Sequence, residues 1–337
     1  MRLRTLALAA AFFVSHTALH AQTPGHPVII DTDIGDDVDD VFAVGLALSS
    51  PEFHILGITS AWGDTALRAQ MIDRLLCETG RTEVPVHEGV PTKTDTVFTQ
   101  APWAHAGIAR SHTDGVEFLL EQIKAHPGEI TLIALGPLTN IGAAIDRDPA
   151  TFRKLKRVVL MGGSIYRGYG DPGKKPEPEY NIVRDPKAAQ KLFTSGVPLY
   201  VLPLDSTQLK FDAAKRAEFA AISTPLTDSL LVLADEWQHN SKAHEPTLFD
   251  AIAMAYAIDP ATCPMTAMQL DVDDEGDTTP SNQPLSGRTN ASACLTAQPE
   301  KFFSLMMPRL TQQRMVGTQV CLAQPQAGSR LSNAPAR

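Results

Sequence analysis

The sequence predicts an α/β fold in which helices cover both faces of a mainly parallel β-sheet. Three observations carry this: short β-branched runs recur along the chain, helical segments separate them, and the runs are continuously apolar rather than alternating. A strand with one wet face alternates apolar and polar residues, whereas a strand covered on both faces reads as an unbroken apolar run. Strands separated by helices pair as parallel crossovers. With 43% apolar residues among 337, the chain can bury a sizeable core.

The elements follow in order. Residues 1–21 stand outside the fold: Arg2 and Arg4 precede the apolar run Leu6–Val14, and a polar stretch ends in Leu19-His20-Ala21. That layout predicts a signal peptide cleaved after Ala21 and a periplasmic or secreted protein. Strands are expected at Val28–Ile30, Ile55–Thr59, Val84–Val86, Ile130–Ile133, Val158–Leu160 and Leu199–Leu202. Helices are expected near 40–49, 65–79, 115–126, 138–146 and 186–195, followed by a mostly helical part from about 212 to 258. Short strands at Gln269–Asp273 and Arg288–Ala291 and a helix near 300–309 complete the pattern. Without a repeat or a linker, 22–323 reads as one domain. The tail 324–337, rich in Ala, Pro, Ser and Gln, reads as disordered. Two Pro/Gly-rich stretches, 89–114 and 162–181, interrupt the alternation. Loops of that length in a compact α/β domain are usually binding loops, placed beyond the carboxyl ends of the strands.

Charge and cysteines narrow the function. The net charge is −9 and Lys and Arg form no long cluster, which argues against nucleic acid as a partner. No apolar run reaches the roughly 18 to 20 residues that span a bilayer, so no membrane partner is expected. The four cysteines, Cys77, Cys263, Cys294 and Cys321, include no C-x-x-C pair and leave three connectivities open. Cys77, in an expected helix, reads as a small buried hydrophobe, and any bridge is expected among the other three.

The densest chemistry is Asp31-Thr32-Asp33-Ile34-Gly35-Asp36-Asp37-Val38-Asp39-Asp40, six carboxylates directly after the first strand. Packed together they would repel and raise one another's pKa values. A hard cation such as Ca²⁺, which takes oxygen ligands, resolves the conflict.

This run resembles the N-terminal D-x-D-x(n)-D-D motif of the inosine–uridine-preferring nucleoside hydrolases. The resemblance continues through Leu56-Gly57-Ile58-Thr59, Trp62-Gly63-Asp64, Leu135-Gly136-Pro137-Leu138-Thr139-Asn140-Ile141, Met161-Gly162-Gly163, Glu179-Tyr180-Asn181 with Asp185-Pro186-Lys187-Ala188-Ala189, and Phe249-Asp250-Ala251. It implies a Rossmann-like nucleoside hydrolase fold with a helical C-terminal part. The implied activity is hydrolysis of a ribonucleoside to ribose and free base. The implied partners are a small-molecule nucleoside and further copies of the chain, as a homodimer or homotetramer. By resemblance, Ca²⁺ is held by Asp33, Asp40, Asp250 and the carbonyl of Leu135, and Asp33 is also general base on a metal-bound water. Asp39, Asp64, Met161, Glu179 and Asn181 fall to substrate binding.

Two departures from the family pattern matter. Two extra residues separate Asp33 from the Asp-Asp pair, so Asp39-Asp40 is taken as the pair, with Asp36 and Asp37 as supporting or substitute carboxylates. Phe249 stands where many members carry a His that protonates the leaving base, and Phe has no proton to give. Trp237, His239 and His244 are the expected leaving-group contacts. The competing reading is a non-catalytic ribose- or nucleoside-binding protein of the same fold.

Overall fold

The computed structural model describes residues 25–281, 289–317 and 321–323. The expected leader at 1–21, the tail at 324–337 and Arg288 lie outside the described residues. No described helix is long and apolar enough to cross a membrane.

The strands are β1 (His26–Thr32), β2 (Phe53–Ser60), β3 (Val86–Glu88), β4 (Thr113–Asp114), β5 (Thr131–Ala134), β6 (Arg157–Met161), β7 (Leu199–Leu202), β8 (Met265–Met268), β9 (Leu270–Val272), β10 (Thr278–Pro280) and β11 (Ala291–Cys294). Nine of them form one sheet in the order β4-β3-β2-β1-β5-β6-β7-β11-β8, and β9 pairs with β10 alone. In the large sheet only β11–β8 is antiparallel. The chain builds outward from β1 to β4, then returns to the other flank of β1 with β5. The gap beyond the carboxyl ends of β1 and β5 is therefore the topological switch point, where open α/β sheets bind ligands.

All ten residues of the helix Asp39–Leu48 are buried, as are most of Phe249–Ile258, and the two helices pack together. Both are apolar on every side after their first turn, as befits helices enclosed between the sheet and the C-terminal helices. The opposite face of the sheet is covered by the helices 115–125, 139–147 and 186–194, which share a second core with Ile29, Leu132 and Val158.

The main expected strands and helices form, with differences where polar or special residues intervene. The third strand starts at Val86 rather than Val84, because Pro85 has no N–H to donate and only its carbonyl is used, by Ile58. β4, β8 and β10 are short and polar or half-exposed, without the apolar run that marks the others. Each long loop holds a short helix, Ala101–His105 in the first and the start of Tyr180–Val183 in the second.

The cysteine expectation is corrected. Cys263 bonds Cys294, within the expected group, but Cys77 is no isolated hydrophobe: it bonds Cys321. After the helix 299–312 the chain runs back across the end of the helix 65–78. There Val316 and Gly317 pack on Gly80 and Glu78, and Ala323 N–H reaches the carbonyl of Ala106 at 3.0 Å. That return brings together two cysteines 244 residues apart, which no local pattern announces.

Candidate active site

A cavity of about 490 Å³ opens at the switch point. The acidic loop forms its floor. Gly35, with φ at +126°, makes the turn after Asp33, and a Cβ there would run into the ring of Phe98. The first long loop packs onto this turn: Thr99 Oγ1 donates to Asp36 O at 2.6 Å, Gln100 N–H to Gly35 O at 3.1 Å, and Gln100 Nε2 to Asp37 O at 2.7 Å.

Two buried helix N-termini deliver three carboxylates to one point. Asp39 and Asp40 open the helix 39–48 and Asp250 opens 249–258, and each offers an oxygen within 4.8 Å of the other two. Asp250 N–H donates to Asp39 Oδ2 at 3.0 Å, and Thr32 Oγ1 donates to Asp40 Oδ1. Burial pushes the carboxyls of Asp33, Asp39 and Asp250 well above their usual range, and the neighbouring carboxylates push further. Burial likewise raises Asp40 to about 7. The positive helix ends offset part of this repulsion but cannot neutralise three charges. The donor set is all oxygen, buried and over-charged, which fits a hard divalent cation.

The other sequence-derived residues divide. Leu135 follows β5 and its carbonyl accepts Asn181 Nδ2 at 2.8 Å, which leaves it a second lone pair. The same Nδ2 reaches Met161 O at 3.1 Å, at the end of β6. Glu179 caps the helix 180–183, accepting from Asn181 N–H at 3.0 Å, Gly163 N–H at 3.0 Å and Ile182 N–H at 3.2 Å. Burial raises its carboxyl to about 7 against the pull of these bonds. Leu135, Met161, Glu179, Asn181, Trp237 and Phe249 all line the cavity, as does Asp33.

Three expected residues do not reach it. Asp64 is exposed and spends its carboxylate on the N-cap of the helix 65–78, accepting Leu67 N–H at 3.0 Å. His239 and His244 are exposed. Trp237, Asn240 and Ser241 share one helical face, i, i+3 and i+4, and line the cavity, while His239 is turned away and His244 follows the helix end.

Arg68 escaped the sequence reading. Fully buried, it donates to Asp36 Oδ2 at 2.7 Å, Trp62 O at 2.8 Å, Ile34 O at 3.0 Å and Asp33 O, which pins the acidic loop from behind. Its signal was present: Thr65, Arg68, Ile72 and Leu75 fall on the apolar stripe of that helix, where a cation needs a buried partner.

Fold and cavity together define an α/β protein with a buried carboxylate site at the switch point of a mainly parallel sheet. The model of the family described as inosine-uridine preferring nucleoside hydrolase matches residues 28–304, and the chain belongs to that family. It is a ribonucleoside hydrolase. Similar proteins include a probable uridine nucleosidase 2 of Arabidopsis thaliana, 34% identical over 253 residues that cover 70% of this chain and 75% of the relative. A pyrimidine-specific ribonucleoside hydrolase, RihB, of Escherichia coli is 31% identical over 265 residues, 73% of this chain and 82% of its own. Among solved structures, the plant nucleoside hydrolase PpNRh1 superposes with a TM-score of 0.75 at 25% identity, covering 86% of this chain and all of that one.

Proposed function

We propose that the protein hydrolyses the N-glycosidic bond of ribonucleosides with Asp33 as general base and Ca²⁺ as its metal. Asp33, Asp40, Asp250 and the Leu135 carbonyl would hold the ion. When bound, Ca²⁺ would supply charge compensation for the cluster and polarise water and the ribose diol. Asp33, at the end of β1, accepts the proton of the attacking water. Asp39, Glu179 and Asn181 orient the ribose hydroxyls, and Glu179 is held for this by three backbone N–H groups. As the C1′–N bond breaks, positive charge develops on the sugar, and the surrounding carboxylates stabilise it. The base then lies against the aromatic lining, which includes Trp237 and Phe249. Phe249 holds no proton for the departing base.

The leader sequence supports a location outside the cytoplasm, and family resemblance supports a homodimer or homotetramer. The observation that carries the function is the meeting of Asp39, Asp40 and Asp250 at the switch-point cavity. The test is base release from uridine, inosine and p-nitrophenyl riboside with added calcium. Turnover that a chelator stops is the expected result. Binding without turnover would return the protein to the ribose-binding reading.

A further inference from the structure

The two disulfide bridges stand in different surroundings. Cys263 and Cys294 are both 0% exposed and enclosed in the main core. Cys321 is part-exposed and lines an open groove of about 550 Å³, together with Arg74, Glu78, Trp103, Val232 and Leu322. Thiol–disulfide exchange requires a thiolate to reach a sulfur. A reductant in solution therefore meets the Cys77–Cys321 bridge and is shut out from Cys263–Cys294.

The accessible bridge ties down a segment with little buried surface of its own. Val316 is 79% exposed, Leu322 is 50% exposed, and Ala323 is exposed as well. Leu322 pairs with the backbone of Gly107, and Ala323 N–H donates to Ala106 O at 3.0 Å. Ordering an exposed chain end costs conformational entropy that two backbone contacts do not offset. The covalent tether keeps the segment close at a high effective concentration.

What this segment touches leads to the active site. Ala106 and Gly107 follow the short helix 101–105 of the first long loop. The helix 65–78 grips the same stretch: Gln70 Nε2 donates to Ala104 O at 3.1 Å and to Gly107 O at 2.8 Å. Arg74 lies 3.9 Å from the centre of the Trp103 ring and donates from Nη1 to Trp103 O at 2.5 Å. At the other end of the loop, Thr99 and Gln100 hold the carbonyls of Gly35, Asp36 and Asp37, and Thr96, Val97 and Thr99 line the cavity. The loop is a bar with the Cys321 segment on one end and the acidic run on the other.

We propose that the Cys77–Cys321 bridge is a redox-sensitive clasp that sets calcium and substrate affinity by holding the first long loop in place, an inference that rests on the calcium-dependent function above. The reductant is a dithiol. Its thiolate attacks Cys321 Sγ from the groove, the bond to Cys77 breaks, and Cys77 leaves as a thiolate that takes up a proton. The second thiol of the reductant then displaces Cys321, which also ends as a thiol, and the reductant ends as a disulfide. Two electrons pass to the protein. The bridge acts through the loop and touches neither the ion nor the substrate, so its two cysteines are positioning residues.

The expected signature is a loss of affinity with little loss of maximal rate. A released loop that docks about one-tenth of the time raises the apparent calcium dissociation constant about tenfold. The KM for p-nitrophenyl riboside rises with it, while saturating calcium and substrate draw the loop back and keep kcat within about twofold.

The test treats the folded full chain with dithiothreitol and follows three quantities. Mass spectrometry of alkylated peptides reports which bridge opens, calorimetric titration reports calcium affinity, and nitrophenol release reports KM and kcat. Opening of Cys77–Cys321 ahead of Cys263–Cys294, with calcium binding about tenfold weaker and restored by reoxidation, is the expected result. Cys321→Ser should reproduce the reduced state without reductant, and if that variant does not fold, reduced wild type decides. A calcium dissociation constant and a KM that stay within twofold on reduction would overturn the inference even if the melting temperature falls, because the bridge would then be a staple alone. Earlier opening of Cys263–Cys294, or no opening of Cys77–Cys321 in the folded protein, would overturn it too. Oxidised protein that binds calcium in a redox-dependent way yet cleaves no riboside would overturn the hydrolase reading and leave the clasp standing.

Discussion

Replacing Arg68 by Met keeps the stem and removes the guanidinium. The structure says what is lost: the ion pair with Asp36, whose two side chains are 1% and 8% exposed, and the bonds to the carbonyls of Trp62, Ile34 and Asp33. Asp36 is left as a buried carboxylate without its cation. Breaking a buried pair from one side costs about 3–5 kcal/mol, mostly as the penalty of the orphaned charge. For a domain of this size that corresponds to a melting temperature lower by roughly 10 °C. The assay is thermal and urea unfolding of wild type, R68M, D36N and the double variant. The double variant should be less destabilised than the sum of the singles, since D36N removes the charge that R68M orphans. An R68M protein within about 1 kcal/mol of wild type would refute the assignment of Arg68 as the anchor of the acidic loop, since ordinary surface substitutions cost no more than half that.

Other outcomes follow from the same site. Calcium added to chelator-treated protein should raise the melting temperature, and keep raising it with the logarithm of calcium above the dissociation constant, and D40A combined with D250A should abolish the effect. The metal-free protein should lose stability as pH rises. Asp40 and Glu179 titrate at about 7 and Asp31 and Asp37 at about 6 in the fold, above their values in an unfolded chain, so the native state keeps protons that the unfolded state has released. Their contribution is therefore full below about pH 4 and lost by about pH 7; unfolding curves of the chelated protein across that window check the slope, and a stability that rises with pH would contradict it. Wild-type enzyme should cleave p-nitrophenyl riboside about 10²- to 10⁴-fold faster than inosine, and F249H should narrow that ratio.

Much of the fold was readable because strands covered on both faces leave unbroken apolar runs, as in Val28–Ile30 and Val158–Leu160. The site was readable where chemistry concentrates in sequence: the Asp33–Asp40 run announces itself by density alone. What was not readable depends on direction and return. Asp64 sits in a motif shared with the family, yet here its side chain turns back to cap the helix it precedes. His239 lies two residues from Trp237, but two residues on a helix is more than half a turn, so Asn240 and Ser241 reach the cavity instead. Asn240 also ties this helix to the first long loop, donating from Nδ2 to Thr99 O at 2.5 Å. The Cys77–Cys321 bridge required knowing that the C-terminal segment doubles back over the helix 65–78.

The central claim, that buried aspartates at the β1–β5 switch point make a calcium-dependent ribohydrolase, is tested most directly by titrating calcium into chelator-treated enzyme while following nitrophenol release from p-nitrophenyl riboside. The account predicts no turnover in the metal-free protein and a rate that rises with calcium to a plateau at one ion per chain. A rate that is already full in the presence of the chelator and unmoved by calcium would contradict it.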